Sequence, residues 1–268
     1  MPITTVESEN NPRWKRWKRL ANEPRQVKKT GLTLAEGAHL AEVFHDLRPE
    51  LVESVIISEK ASEEGRHWAG EVLAKTRAPG FLLKAGLYQT LSPVEHGVGV
   101  MLELRVPQTD LEALDWNRDV LYLDGVQDAG NAGTLIRTAL AAGVGLVCAS
   151  PSTVNLWSPK VLRAGMGAHA SAEIVESIPV EEFRARFPGL ICAADARGGE
   201  DLFAAEDYTR GPVAWVMGAE GPGVSAEALA LRDHSFYISI EPACESLNVG
   251  AAAAVCLFDM RRRRLARA

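Results

Sequence analysis

The run Val120-Leu-Tyr-Leu-Asp-Gly-Val-Gln-Asp-Ala-Gly-Asn-Ala-Gly-Thr-Leu-Ile-Arg137 decides the fold. Residues 120–123 are apolar and read as a buried strand. The turn that follows is polar and glycine-containing. Asn131 is a good helix cap, so a helix opens there and carries Leu135, Ile136, Ala139 and Leu140 on its apolar side. Downstream the pattern repeats: apolar segments recur at 145–149, 190–194, 213–217 and 236–240, with helical stretches between them. Strands alternating with helices imply an α/β fold with a mostly parallel sheet covered on both faces. A long helix from about Leu247 to Arg264 ends the chain.

Upstream, residues 107–117 are polar, contain Pro107 and read as a linker, which makes 118–268 one domain. Residues 11–106 show helix and strand patterns of their own and form a smaller α/β domain, and 1–10 read as a disordered lead. The length of 268 residues, with 47% hydrophobic and 24% charged, suits one large or two ordinary domains and excludes global disorder. The longest small or apolar run, 249–258, is too short for a bilayer, and the N-terminus has no apolar signal core, so no membrane partner is expected. Cys148, Cys192, Cys244 and Cys256 form no Cys-x-x-Cys pair and no zinc spacing with the histidines. A reduced, cytoplasmic protein without a metal is the expectation.

A net charge of −6 argues against an indiscriminate nucleic-acid binder, but it hides an uneven distribution. Trp14, Lys15, Arg16, Lys18 and Arg19 cluster near the N-terminus together with Trp17. Two readings stay open there. Trp14 and Trp17 can stack on exposed RNA bases while the cations hold phosphates, or both can dock the helix onto its own domain. Arg261 to Arg264 read as a solvated helix end, where the dipole favours cations.

Two further segments are too polar or glycine-rich for a core. Val216-Met-Gly-Ala-Glu-Gly-Pro-Gly-Val-Ser225 follows a continuous apolar strand, and its glycines permit close backbone approach to a ligand. Glu245-Ser-Leu-Asn-Val-Gly-Ala-Ala-Ala-Ala254 starts the last helix, where Ser246 and Asn248 are candidate caps. Gly125, Gly130 and Gly133 have the wrong spacing for a Gly-x-Gly-x-x-Gly dinucleotide turn, which counts against the alternative of a nicotinamide-dependent oxidoreductase.

Asn131 with Arg137, the Gly218-Ala-Glu-Gly turn and Ser246-Leu-Asn248 stand in the order of the three motifs of the SpoU-type RNA ribose methyltransferases, a branch of the SPOUT superfamily, and the chain resembles that family. The resemblance implies a C-terminal SPOUT domain with a deep trefoil knot that binds S-adenosylmethionine, and an N-terminal domain that binds RNA. It implies methyl transfer to a ribose 2′-hydroxyl of rRNA or tRNA, and a homodimer. By the same route Arg137, Asn131, Glu220, Ser246 and Asn248 are catalytic or substrate-positioning candidates, and Gly218, Ile238 and Leu247 are cofactor contacts. The family's Ile-Pro-Met strand end is Ile238-Ser-Ile240 here, without the proline. A guanidinium is always protonated, so gripping a phosphate or stabilising an oxyanion suits Arg137 better than acting as a base. The competing expectation is a non-catalytic RNA-binding or ribosome-assembly protein that keeps the fold.

Overall fold

A computed structural model describes residues 3–267. Its first elements in chain order are β1 (Thr4–Val6), α1 (Pro12–Asn22), α2 (Pro24–Thr30), β2 (Leu32–Glu36), α3 (Ala38–Leu47), β3 (Val52–Ser58), α4 (Glu63–Thr76), β4 (Gly80–Leu83), α5 (Ala85–Gln89) and β5 (Val100–Arg105). Then come β6 (Val120–Asp124), α6 (Ala129–Ala141), β7 (Leu146–Ala149), α7 (Pro159–Gly165), β8 (Glu173–Val175), α8 (Val180–Arg186), β9 (Leu190–Ala194) and β10 (Glu200–Asp201). The last are β11 (Val213–Gly218), α9 (Ala226–Leu231), β12 (His234–Tyr237) and α10 (Val249–Leu265). The chain divides into two units: Met1–Gln108 with Trp157–Ala170, and Thr109–Leu156 with Ser171–Ala268.

The first unit holds a five-stranded sheet in the order β1-β4-β3-β5-β2. Within residues 1–10, expected as a disordered lead, Thr4–Val6 pairs in parallel with β4 and Val6 is buried, while residues 1 and 2 lie outside the described residues. Residues 157–170, expected in the C-terminal domain, belong to this unit: the Thr33 hydroxyl donates to the Trp157 carbonyl at 2.5 Å, and Trp157, Val161 and Leu162 are buried.

Helix α1 starts where the Asn11 side chain accepts from the Arg13 and Trp14 N–H groups and Pro12 fills the first turn. Trp14, Trp17 and Leu20 then recur at helical spacing and are all buried, Trp14 at 2% and Trp17 at 0% exposure. The Trp14 indole N–H donates to the Leu87 carbonyl at 3.2 Å, and Trp17 meets Phe81 edge-on with centroids 5.3 Å apart. Stacking of Trp14 or Trp17 on RNA is therefore ruled out in this conformation, because both rings serve as core. Arg16 is spent as well: it pairs at 2.8 Å with the buried Glu103, whose same oxygen takes the Ser54 hydroxyl. Lys15, Lys18 and Arg19 stay exposed, with the Lys18 ammonium 4.7 Å from the Trp14 ring centroid.

The second unit carries a seven-stranded sheet in the order β10-β12-β9-β11-β6-β7-β8, every pair parallel. Strand β11 is late in the chain yet lies between β6 and β9, in register from Ala214 opposite Val120 to Gly218 opposite Asp124. Its unbroken apolar run suits a strand buried on both faces. One face packs Tyr122, Val216, Phe183 and Phe187 into a common core. Leu114 joins this core and Trp116 packs on Phe183, so the second half of the expected linker is part of the unit. Helix α10 packs along α6 and begins against Thr134, which a methyl on Gly250 would approach to 3.0 Å.

The C-terminal arginines form clamps, contrary to the solvated helix end expected of them. Buried Asp259 accepts from Arg262 at 2.7 Å, from Arg263 at 2.6 Å and from the Tyr208 hydroxyl at 3.2 Å. Arg263 also donates to the Leu202 and Ala205 carbonyls, and Arg264 holds Asp119 and the Gly211 carbonyl. No described helix is long and apolar enough to cross a membrane.

Candidate active site

Parallel sheets place their functional loops beyond the carboxyl ends of the strands, most often where strand order reverses. Here the loops after β6, β11 and β12 converge at that end, and each carries one of the three sequence segments. The loop after β6 turns at Gly125, whose φ of +73° favours glycine and whose N–H donates to Ser150 Oγ at 2.9 Å and Thr153 Oγ1 at 3.1 Å. Asp128 then caps α6 by accepting from the Asn131 N–H at 2.7 Å. Asn131 is thus not the cap that its residue type suggested. It lies one turn inside the helix, with its side chain free for other bonds.

The loop after β11 is closed tightly. Ala219 and Gly223 exchange backbone hydrogen bonds of 3.0 and 2.9 Å, and the Ser225 N–H donates to Asp124 Oδ2 at 2.7 Å. A methyl on Gly218 would fall 2.1 Å from the Gly223 carbonyl carbon and the Val224 nitrogen, so only glycine fits there. This closure holds Glu220 at the loop's edge.

Three side chains from the three segments form one hydrogen-bonded chain. Asn248 Nδ2 donates to Asn131 Oδ1 at 3.0 Å, and Asn131 Nδ2 donates to Glu220 Oε1 at 2.8 Å. Both ends fix its direction. Asn248 Oδ1 caps α10 by accepting from the Gly250 N–H at 2.9 Å, so its NH2 must face Asn131. Glu220 as a carboxylate offers only acceptors, so Asn131 must turn its NH2 toward it. Burial works to raise the Glu220 carboxyl, but the Asn131 amide and backbone N–H groups at 127, 128 and 220 outweigh it, and the net shift is downward. Glu220 is therefore ionised at neutral pH and a poor proton acceptor. Each asparagine amide uses one N–H in the chain and keeps a second to offer a ligand.

The other expected site residues are not joined to this chain. Arg137 is exposed on α6, and its guanidinium makes no hydrogen bond or ion pair among the described residues. The Ser246 side chain is exposed, and its carbonyl receives the Cys244 thiol at 3.4 Å. Leu247 and Ile240 are exposed apolar groups, and Ile238 is half-buried. Within residues 238–247 the one backbone–backbone bond among the described residues runs from the Cys244 N–H to the Glu241 carbonyl at 2.9 Å. Free peptide edges beside apolar side chains fit a nucleoside cofactor, whose ring edge reads main-chain groups and whose faces meet aliphatic carbon.

Residue-type reasoning missed Gln127 and Asp128. The Gln127 N–H donates to Glu220 Oε2 at 3.3 Å, and its side-chain amide donates to the Ser152 carbonyl. The signal for Asp128 was present: it is as good a cap as Asn131 and stands three residues before it. A backbone donor such as the Gln127 N–H carries no sequence signal at all.

The sequence model of the SpoU rRNA Methylase family matches residues 119–258. Over 96% of its length the chain is 29% identical to the 23S rRNA (guanosine(2553)-2′-O)-methyltransferase RlmP of Bacillus subtilis, covering 98% of that protein. It is 30% identical to an uncharacterised tRNA/rRNA methyltransferase of Synechocystis over 98% of the chain and 96% of the relative. Among solved structures, the SpoU methyltransferase AviRb of Streptomyces viridochromogenes, in complex with AdoMet, superposes with a TM-score of 0.83 at 24% identity, over 96% of this chain and 99% of that one.

Proposed function

This chain belongs to the SpoU rRNA Methylase family, and from that premise we propose that it methylates a ribose 2′-hydroxyl of ribosomal RNA with S-adenosylmethionine as donor. The observation that carries the reading is the chain Asn248–Asn131–Glu220, which ties all three segments into one polar site at the carboxyl end of the sheet. A scaffold protein that merely kept the fold would not need a directed relay of amides with spare donors.

S-adenosylmethionine supplies a methyl group on a positively charged sulfur that is already a good leaving centre. Gly218, Ile238 and Leu247 are the residues that would hold it. Asn131 and Asn248 orient the ribose hydroxyl with their spare N–H groups, and Ser246 lies one residue before Leu247 to assist. Arg137, unpaired in the free protein, binds the phosphate next to the target ribose and stabilises the developing oxyanion. Glu220 positions Asn131; its lowered carboxyl makes it unsuited to taking the hydroxyl proton.

The first unit is the RNA-holding part in this reading, with Lys15, Lys18 and Arg19 among its exposed cations on α1. A deep trefoil knot in the second unit rests on the likeness to the SpoU family. A homodimer is supported by α10, where Ala251, Phe258 and Leu265 lie exposed at seven-residue intervals, Phe258 at 45% and Leu265 at 63%. Four free cysteines, three of them buried, suit the reducing cytoplasm.

The test is transfer of a labelled methyl group from S-adenosylmethionine to fractionated rRNA and tRNA, followed by digestion to nucleosides. Label in a 2′-O-methyl nucleoside of the rRNA fraction, lost in Arg137→Ala while cofactor binding persists, is the expected result. Equal label with Arg137→Ala would remove that residue from the chemistry. No label and no cofactor binding would favour the scaffold.

A further inference from the structure

The second unit contains no lysine, so all its side-chain cations at neutral pH are arginines apart from any protonated histidine. The guanidinium groups of two of these arginines, Arg137 and Arg197, make no hydrogen bond or ion pair among the described residues. Every other one holds a carboxylate or a main-chain carbonyl. Arg137 is accounted for above, and Arg197 is not.

Arg197 lies in the loop after β9, the strand that neighbours β11. That loop is well fixed: the Asp195 N–H donates to the Phe236 carbonyl at 2.9 Å, and the Arg197 N–H donates to Asp195 Oδ1 at 3.0 Å. Gly199 is pressed on Ser235, where a methyl would fall 2.3 Å from the carbonyl oxygen. The guanidinium rests on Gly223, at the foot of the loop that carries Glu220. A methyl on Gly223 would fall 2.6 Å from Nη2 of Arg197 and 3.6 Å from Cζ. An absent side chain at 223 thus makes room for an exposed, unpaired guanidinium beside the site. The segments that follow β6, β9, β11 and β12 at this end of the sheet carry Asp128, Asp195, Glu220, Glu241 and Glu245, and β10 opens there with Glu200. An incoming polyanion meets a predominantly acidic rim, and only cations not already neutralised can offset it.

We propose that Arg197 is a substrate-binding residue that grips an RNA phosphate, a second anchor across the Gly218-Ala-Glu-Gly turn from Asn131. This rests on the methyltransferase reading. It predicts that Arg197 acts on RNA affinity and leaves S-adenosylmethionine affinity alone.

The experiment compares wild type, Arg197→Ala and Arg197→Lys for binding to an unmodified transcript of bacterial large-subunit rRNA over a range of salt concentrations. S-adenosylmethionine binding is measured by calorimetry, and KM and kcat for the transcript are measured alongside. Arg197→Ala should weaken RNA binding roughly tenfold, as loss of a charge-assisted contact does. It should lower the slope of log affinity against log salt by roughly 0.7–0.9. KM should rise more than kcat falls, and Arg197→Lys should restore the slope. Unchanged RNA affinity and slope would overturn the proposal. So would weakened S-adenosylmethionine binding with RNA binding intact, which would assign the guanidinium to a carboxylate of the cofactor. Wild type that binds the transcript with the Arg197-dependent slope but transfers no methyl group would sink the enzyme reading and leave this contact standing.

Discussion

Asn131→Asp would keep the size and the acceptor of this side chain and remove its donor. It would set a second carboxylate at hydrogen-bond distance from Glu220, and two such groups cannot both ionise without cost. Turnover should fall about a hundredfold, the scale of losing one positioned donor, and steady-state methylation assays check it. The pair should also raise at least one carboxyl, so the variant's stability deficit should shrink as pH falls, read by thermal melts between neutral and mildly acidic pH. Wild type behaves in the opposite sense. Because the Glu220 carboxyl is lowered on folding, its contribution is complete above the ordinary carboxylate range and is lost as pH falls through the lowered value. Glu220→Gln should remove that part of the acid sensitivity. At this scale the sequence showed which residue types matter and not whom they meet. Asp128 and Asn131 are equally good caps by type, and only the backbone path after Gly125 decides that Asp128 caps and Asn131 reaches Glu220.

Helix α1 shows how a basic, aromatic segment is divided by its helical period. Trp14, Trp17 and Leu20 face the core, and Lys15, Lys18 and Arg19 face water. The spacing was legible, but which face touches a partner was not, because an aromatic pair three residues apart serves docking and stacking equally well. Trp17→Ala should cost about 3–5 kcal/mol in the first unit, measured by denaturant unfolding; a loss below 1 kcal/mol would mean that the ring is not core. Helix α10 has the reverse arrangement. Its inner side is tied by Asp259 and the arginines, and its outer side leaves Phe258 bare. Phe258→Glu should turn the proposed dimer into monomer in analytical ultracentrifugation without lowering the melting temperature of the monomer. A wild-type monomer at micromolar concentration would remove the dimer. Four central strands of the second unit, β6, β7, β9 and β11, were legible as unbroken apolar runs, whereas the short β8 and β10 were not read and the last strand lies at His234–Tyr237 rather than 236–240. The Asp259 clamp was not legible, because the positions of Asp259 and Arg263 say nothing of the carbonyls at 202 and 205 that complete it.

Across the whole chain, the division into units does not follow the order of residues. The composition change near 107–117 suggested a single boundary, yet 157–170 belongs with the first unit, and Leu114 and Trp116 with the second. Linear composition cannot show that a later segment supplies the cover of an earlier strand. A fragment of residues 1–108 lacks α7 and the Trp157 carbonyl that takes the Thr33 hydroxyl. It should melt at lower temperature than the first unit does in the intact chain, and adding back residues 157–170 by fusion should recover part of the loss. Late insertion of β11 between β6 and β9 makes the second unit's contacts largely non-local, so refolding from denaturant should be slow, in seconds or longer by stopped-flow fluorescence of Trp215.

Every lysine of the chain, from Lys15 to Lys160, lies in the first unit. Amine chemistry is therefore partitioned. Acetylation, ubiquitin attachment at lysine or an amine-reactive dye can mark the first unit and has no lysine ε-amine to attack in the unit that carries the amide chain. Lysine acylation therefore has a handle on the first unit, which is proposed to hold RNA, and none on the second, and a lysine-coupled fluorophore would label the first unit alone.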